Sequence, residues 1–161
     1  MAKQFNNNIK ILFVCHGNIC RSTMAYYYFK DLVEKRGLSS LFHLDSAGTS
    51  SEELGNPVHR GTREKLRQAG ISCEGHRAKQ MKKSDYNAFD YLIGMDHWNI
   101  KNMKRITGGD PGHKIYKLLE FVHSDRDVAD PWYTGDFDST WEDVSKGCQA
   151  LLEYVLEHNV S

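Results

Sequence analysis

No stretch of this sequence stays apolar for the roughly 18 residues that a bilayer span requires, so a membrane-spanning protein is excluded. Residues 1–8 also lack the apolar run of a signal peptide. They are expected to form a flexible N-terminal extension on a cytoplasmic protein. An excess of either charge is missing too, since 21 lysines and arginines face 21 aspartates and glutamates. Without a global basic field, neither nucleic acid nor an anionic membrane is an expected partner. Affinity for anions would have to come from a local pocket. Cysteine is scarce: Cys15, Cys20, Cys73 and Cys148 form no C-x-x-C pair and no Cys/His group at zinc spacing. No metal, no cofactor and no disulfide framework are therefore expected, only reduced thiols. Repeats, low-complexity tracts and linkers are lacking as well, which leaves one domain over residues 1–161, expected to be a monomer.

What the sequence does hold is an alternation of strands and helices. Lys10–Cys15 is, after its leading lysine, a short apolar run with no alternation, the pattern of a strand buried on both faces. Helical spacing follows over Thr23–Arg36 and is closed by Gly37. Leu41–Ala47 reads as a strand, Gly61–Ala69 as a helix, Tyr91–Met95 as a strand and His97–Ile106 as a helix. Ile115–Leu118 is a fourth short strand, and Asp138–His158 carries apolar residues at helical spacing. This order predicts an α/β fold, a doubly wound parallel four-stranded sheet with helices on both faces. Ligands in such sheets bind beyond the carboxyl ends of the strands, where Cys15 falls.

The segment after that strand carries the chemistry: Cys15-His16-Gly17-Asn18-Ile19-Cys20-Arg21-Ser22. A cysteine followed six positions on by an arginine is weak evidence alone. Four cysteines and eight arginines in this length give about 0.2 chance occurrences. Context strengthens it. The cysteine ends a buried strand and the arginine begins a helix, so the amides between can curl into an anion-binding nest. The helix N-terminus backs that nest, and Arg21 adds a planar fork for two phosphoryl oxygens. The same field favours a thiolate at Cys15, placed for in-line attack on a bound phosphoryl group. Asn18 tolerates the left-handed backbone that a tight nest needs. Ser22 is placed to hydrogen-bond the sulfur and to cap the helix.

This loop resembles the signature of the low-molecular-weight protein tyrosine phosphatase family. Asp45-Ser-Ala-Gly-Thr49, Gly94-Met-Asp96 and Asp130-Pro131-Trp132-Tyr133 follow in the family's order, so the resemblance spans nearly the whole chain. It implies hydrolysis of phosphotyrosine on protein substrates, by a two-step route through a cysteinyl-phosphate. Cys15 would be the nucleophile, Arg21 the clamp, Asp130 the general acid and residues 16–22 the phosphate cradle. Ser46 and His76 match the positions that brace the loop asparagine. Inorganic phosphate or a similar oxyanion would occupy the same loop. Trp132 and Tyr133 would flank the substrate slot, where many members add an aromatic after the Ser-Ala-Gly-Thr block. This chain has Ser50-Ser51-Glu52-Glu53 there, so the wall is either acidic, at Glu52, or absent, and substrate preference stays open. Cys20, five positions after Cys15, is expected to trap an oxidised Cys15 as a reversible disulfide.

Two relatives of the same fold compete. A thioredoxin-coupled arsenate reductase needs two further neighbouring thiols, and Cys73 and Cys148 are far apart in sequence. A protein-arginine phosphatase has a threonine where Ile19 stands, so Ile19 favours an aryl substrate. From another class, a non-catalytic phosphotyrosine-binding module would have lost Cys15, Arg21 or Asp130, and all three are present.

Overall fold

The computed structural model describes residue 5 and residues 8–160. Apart from Phe5 and Asn8, the expected N-terminal extension lies outside these residues. Phe5 forms an antiparallel bridge with Val160.

Four strands, β1 (Ile9–Cys15), β2 (Phe42–Gly48), β3 (Tyr91–Gly94) and β4 (Ile115–Lys117), form one sheet in the order β2-β1-β3-β4. Every pairing is parallel. The helices are α1 (Arg21–Lys35), α2 (Arg60–Gln68), α3 (Asp85–Ala88), α4 (His97–Thr107), α5 (Pro131–Thr134) and α6 (Phe137–His158). Strand β1 is central, which is why it is apolar without alternation from Ile11 to Cys15. Ile9, Ile11 and Phe13 pack with Met24 and Phe29 of α1 and with Val144, Cys148 and Leu151 of α6. Leu12 and Val14 face the other way, onto Leu92, Met81, Phe89 and Met103 of α4. Two apolar cores on opposite faces of one sheet make the fold doubly wound, as the alternation predicts. Full burial of side chains such as Phe13 and Leu92 is worth roughly 1.5–3 kcal/mol each.

The boundaries depart from expectation in small ways. Helix α1 begins at Arg21 rather than Thr23, because the loop's backbone turns into the helix directly. The short helices α3 and α5 carry too few residues to show a period. None of the helices among the described residues is long and apolar enough to cross a membrane.

The topology sets the site. Residues 16–20 bridge the end of β1 and the start of α1. The strand-end segments after β2 (from Thr49) and after β3 (Met95, Asp96) lie beside them, since both strands flank β1.

Candidate active site

Three backbone features fix the curl of the loop. Thr49 N–H donates to Cys15 O at 2.9 Å and Ser50 N–H to His16 O at 3.0 Å, prolonging the β1–β2 pairing past its end. Gly48 allows that approach: a Cβ there would sit 2.6 Å from His16 O. Asn18 adopts φ +60°, the left-handed region.

Asn18 is fully buried, and its polar atoms are spent on holding this shape. Its Nδ2 donates to Ser22 Oγ at 2.9 Å and to Ser46 Oγ at 3.0 Å. Its Oδ1 accepts from Lys79 N–H at 3.0 Å, and its carbonyl accepts from His76 Nε2 at 2.8 Å. A carbonyl can only accept, so Nε2 carries a hydrogen. Burial holds the His76 ring below the usual histidine range, with the bond to Asn18 opposing that in part. Ser46 and His76 thus both reach the loop asparagine.

Cys15 is buried, with its sulfur 3.1 Å from Ser22 Oγ. Because that oxygen already accepts from Asn18, the Ser22 hydroxyl hydrogen is free to donate to a thiolate. Ser22 does not cap the helix, however. It is the second residue of α1, and Cys20 occupies the cap position with no side-chain capping bond. A serine turned toward the sulfur from within the first turn cannot also reach back to the helix's first amides. Cys20 is buried against Ile19, Ala78 and Phe137. Burial, and next the neighbouring Cys15, push its thiol up to about 12, so it is neutral.

Arg21 is 2% exposed and surrounded by acceptors. Nη1 donates to Asp96 Oδ2 at 2.7 Å and to Val128 O at 2.9 Å, and Nη2 faces Asp130 Oδ2 at 3.4 Å. Burial works against the cation, but Cys15, Asp96 and Asp130 outweigh it and raise Arg21 above the ordinary arginine value. A guanidinium has five N–H donors. Among the described residues Nε–H and one Nη2–H have no protein partner, and these are the two that a bidentate oxyanion requires.

Asp130 is the N-cap of α5: Oδ1 accepts from Trp132 N–H at 3.1 Å, and Pro131 opens the helix. The cap leaves Oδ2 turned to Arg21. Cys15, Arg21 and Asp130 share one cleft, walled by His16, Gly17, Ile19, Glu52, Glu53, Trp132 and Tyr133. His16 pairs with Glu52 at 3.2 Å. Trp132 and Tyr133 are largely exposed at the mouth.

The site also includes Asp96, which sequence reasoning passed over, and a contact of Glu53 that it did not show. Asp96 holds Arg21 with one carboxylate oxygen, while the other accepts from Asn99 N–H at 2.7 Å in a capping box for α4. An aspartate after a strand and three residues before an asparagine signals a helix start, and that signal hides the second contact. Glu53 lies over Gly17, whose missing Cβ would sit 3.2 Å from Glu53 Cγ. No sequence pattern announces that contact.

A parallel sheet with a buried thiol at the start of a curled loop, a buried arginine fork and a facing carboxylate is the arrangement of a phosphatase-type site. Comparison with known proteins narrows this. A family model described as low molecular weight phosphotyrosine protein phosphatase matches residues 10–161. The chain is 44% identical over 146 residues to low molecular weight protein-tyrosine-phosphatase YfkJ of Bacillus subtilis, covering 89% of this chain and 94% of that one. The crystal structure of YfkJ superposes with a TM-score of 0.92 over 95% of this chain and 98% of that one. PtpA of Staphylococcus epidermidis is 37% identical over 92% of this chain and 95% of its own. The structure of SP-PTP from Streptococcus pyogenes is 41% identical, with a TM-score of 0.82 over 94% and 99% of the two chains. The chain belongs to the low-molecular-weight phosphotyrosine protein phosphatase family.

Proposed function

We propose that this enzyme hydrolyses phosphotyrosine in two steps through a phosphate carried covalently on Cys15. The observation that carries this reading is the meeting of three groups in one cleft: the Cys15 sulfur, the open fork of Arg21 and the Asp130 carboxylate. The phosphoryl group enters the amide nest of residues 16–21, two of its oxygens on the free N–H groups of Arg21. The Cys15 thiolate attacks phosphorus in line with the leaving phenolic oxygen. Sulfur–phosphorus bonding forms as the oxygen–phosphorus bond breaks, and the charge developing on the equatorial oxygens is met by fixed dipoles.

Asp130 supplies the proton. Its Oδ2 lies 3.4 Å from Arg21 Nη2, at the edge of the fork that receives the phosphoryl group and in the same cleft as the Cys15 sulfur. That carboxyl protonates the departing phenolate. As a carboxylate, it then takes a proton from the water that attacks the cysteinyl-phosphate and releases inorganic phosphate. Ser22 supports both steps by donating to the sulfur, first as nucleophile and then as leaving group. Trp132 and Tyr133 offer aromatic faces for the substrate ring.

Ile19 and the lack of a nearby thiol relay favour this reading over arginine-phosphate hydrolysis or arsenate reduction. Cys73 sits beyond His76 and Cys148 inside the α1–α6 core, 3.7 Å from Ala25 O. Turnover of phenyl phosphate by purified protein in the presence of a chelator tests the assignment. Release of phosphate by the intact enzyme is expected, and an inert protein would refute it.

A further inference from the structure

The cleft that receives a dianion is ringed at its mouth by carboxylates. Apart from Arg21 on the floor, buried and ion-paired, its lining holds no lysine or arginine among the described residues. Around the opening stand Glu52, Glu53 and Asp130, with His16 beside Glu52. Asp130 is committed to Arg21 and to its own helix cap. Glu52 and Glu53 have no such commitment to the chemistry.

The backbone that carries these two carboxylates is held in place. Their segment is tied to the loop through Thr49 and Ser50, as described above. Glu52 N–H donates to Ser50 Oγ at 3.0 Å, Gly55 N–H to Ala78 O at 2.9 Å and Asn56 N–H to Glu53 O at 3.0 Å. Glu53 packs over Gly17, and its Oε2 accepts from Asn56 Nδ2. The Glu52 side chain is 72% exposed and pairs with His16. A fixed backbone lowers the entropic cost of presenting that charge.

A phosphate group draws nothing from such a rim; carboxylates repel it. Its placement is set by the amide nest and Arg21, so the rim acts on whatever flanks the phosphotyrosine. The chain as a whole carries no net charge. We propose that Glu52 and Glu53 are specificity-determining residues that select phosphotyrosines flanked by lysine or arginine. This selection rests on the phosphatase assignment above.

The test uses two phosphopeptides of one sequence, the phosphotyrosine flanked on both sides by lysine in one and by glutamate in the other, with 4-nitrophenyl phosphate alongside. Two solvent-facing charge pairs, gained with one peptide and replaced by repulsion with the other, separate kcat/KM by about tenfold in favour of lysine. In the Glu52→Gln/Glu53→Gln variant the ratio should shrink to about twofold. Raising the salt should shrink it in the unaltered enzyme as well, a readout independent of how the variant folds. Equal kcat/KM for the two peptides in the unaltered enzyme would overturn the rim, as would a ratio insensitive to salt and to the substitutions. Failure to hydrolyse 4-nitrophenyl phosphate would overturn the phosphatase assignment instead, so the two failures are distinct.

Discussion

The floor of the cleft and its mouth are built on opposite plans. On the floor, Cys15, Asn18, Ser22 and Ser46 are buried and joined in one network of hydrogen bonds, and the buried Arg21 is held beside it by Asp96, Val128 O and Asp130. None of the buried side-chain polar atoms among the described residues lacks a partner. At the mouth, Glu52, Trp132 and Tyr133 stand largely in solvent, and Tyr133 is 83% exposed. A satisfied buried network has one geometry and tolerates little change. A solvated rim tolerates much. Chemistry placed on the first and selectivity on the second can vary separately, and substitutions should divide accordingly.

The steepest loss belongs to the floor. Cys15→Ser should reduce turnover of aryl phosphates by about 10⁴-fold or more, since a hydroxyl there lacks the thiolate's reactivity. Unaltered steady-state rates in that variant would remove Cys15 from the mechanism.

Asp130 lies between the two regions and should show a mixed response. Asp130→Asn keeps the cap on α5 but carries no acidic proton. Phenyl phosphate, whose leaving oxygen is basic, should lose about 10²–10³-fold, and 4-nitrophenyl phosphate far less. A leaving-group series in which all members fall equally would contradict the role of proton donor.

Asp96 tests whether the floor's network positions Arg21. Asp96→Asn retains a capping acceptor for α4 while removing the charge that orients the guanidinium. We expect kcat to fall by about tenfold to fiftyfold, with a smaller rise in KM, because loss of alignment is felt most in the transition state. Asp96→Ala should add about 1 kcal/mol of lost stability from the cap. An Asp96→Asn enzyme with full kcat would show that Val128 O and Asp130 suffice.

Cys20 gives a conditional effect. After peroxide, the native enzyme should recover with dithiothreitol, whereas Cys20→Ser should proceed to irreversible sulfinic acid. Since burial keeps the Cys20 thiol neutral, bridge formation should quicken as pH rises. Equal recovery of both proteins, read with peptide mass spectrometry of the crosslink, would leave Cys20 as packing alone.

The smallest effect concerns His59, behind the mouth. Its ring stacks on Phe137 and meets the edge of Trp132. Nδ1 accepts from Gly61 N–H at 3.1 Å as the cap of α2. Burial and then Arg60 hold this histidine below its ordinary value, Arg63 adds to that, and Glu53 and Asp130 oppose it. A depressed histidine stabilises the fold fully above the unfolded value of about 6.5; that contribution is lost as pH falls through the folded value. His59→Asn, which keeps a capping acceptor and cannot titrate, should flatten part of the decline in melting temperature between neutral and mildly acid pH. An identical decline in both proteins would assign the pH dependence elsewhere, His76 included.

The floor and the mouth also differ in how far they can be read from sequence. The short apolar run up to Cys15 places a central strand, and the spacing to Arg21 places a loop and a helix start, because these features are local. Asn18's left-handed backbone and its four partners follow from one residue type in one tight turn. Asp96 is not legible in the same way. Its grip on Arg21 exists only because β3 lies beside β1, a register that local patterns do not encode. Ser22 misleads for a related reason: a serine near a helix start usually caps it, but here the sulfur and Asn18 compete for the hydroxyl. At the rim, the acidic pair is visible in sequence, while the packing of Glu53 over Gly17 is a tertiary contact.

The central claim is the covalent phosphate on Cys15. Purified enzyme mixed with ³²P-labelled phenyl phosphate and quenched during turnover should carry label on the peptide that contains Cys15, and Cys15→Ser should carry none. Rapid release of inorganic phosphate with no label on that peptide at any quench time would contradict it.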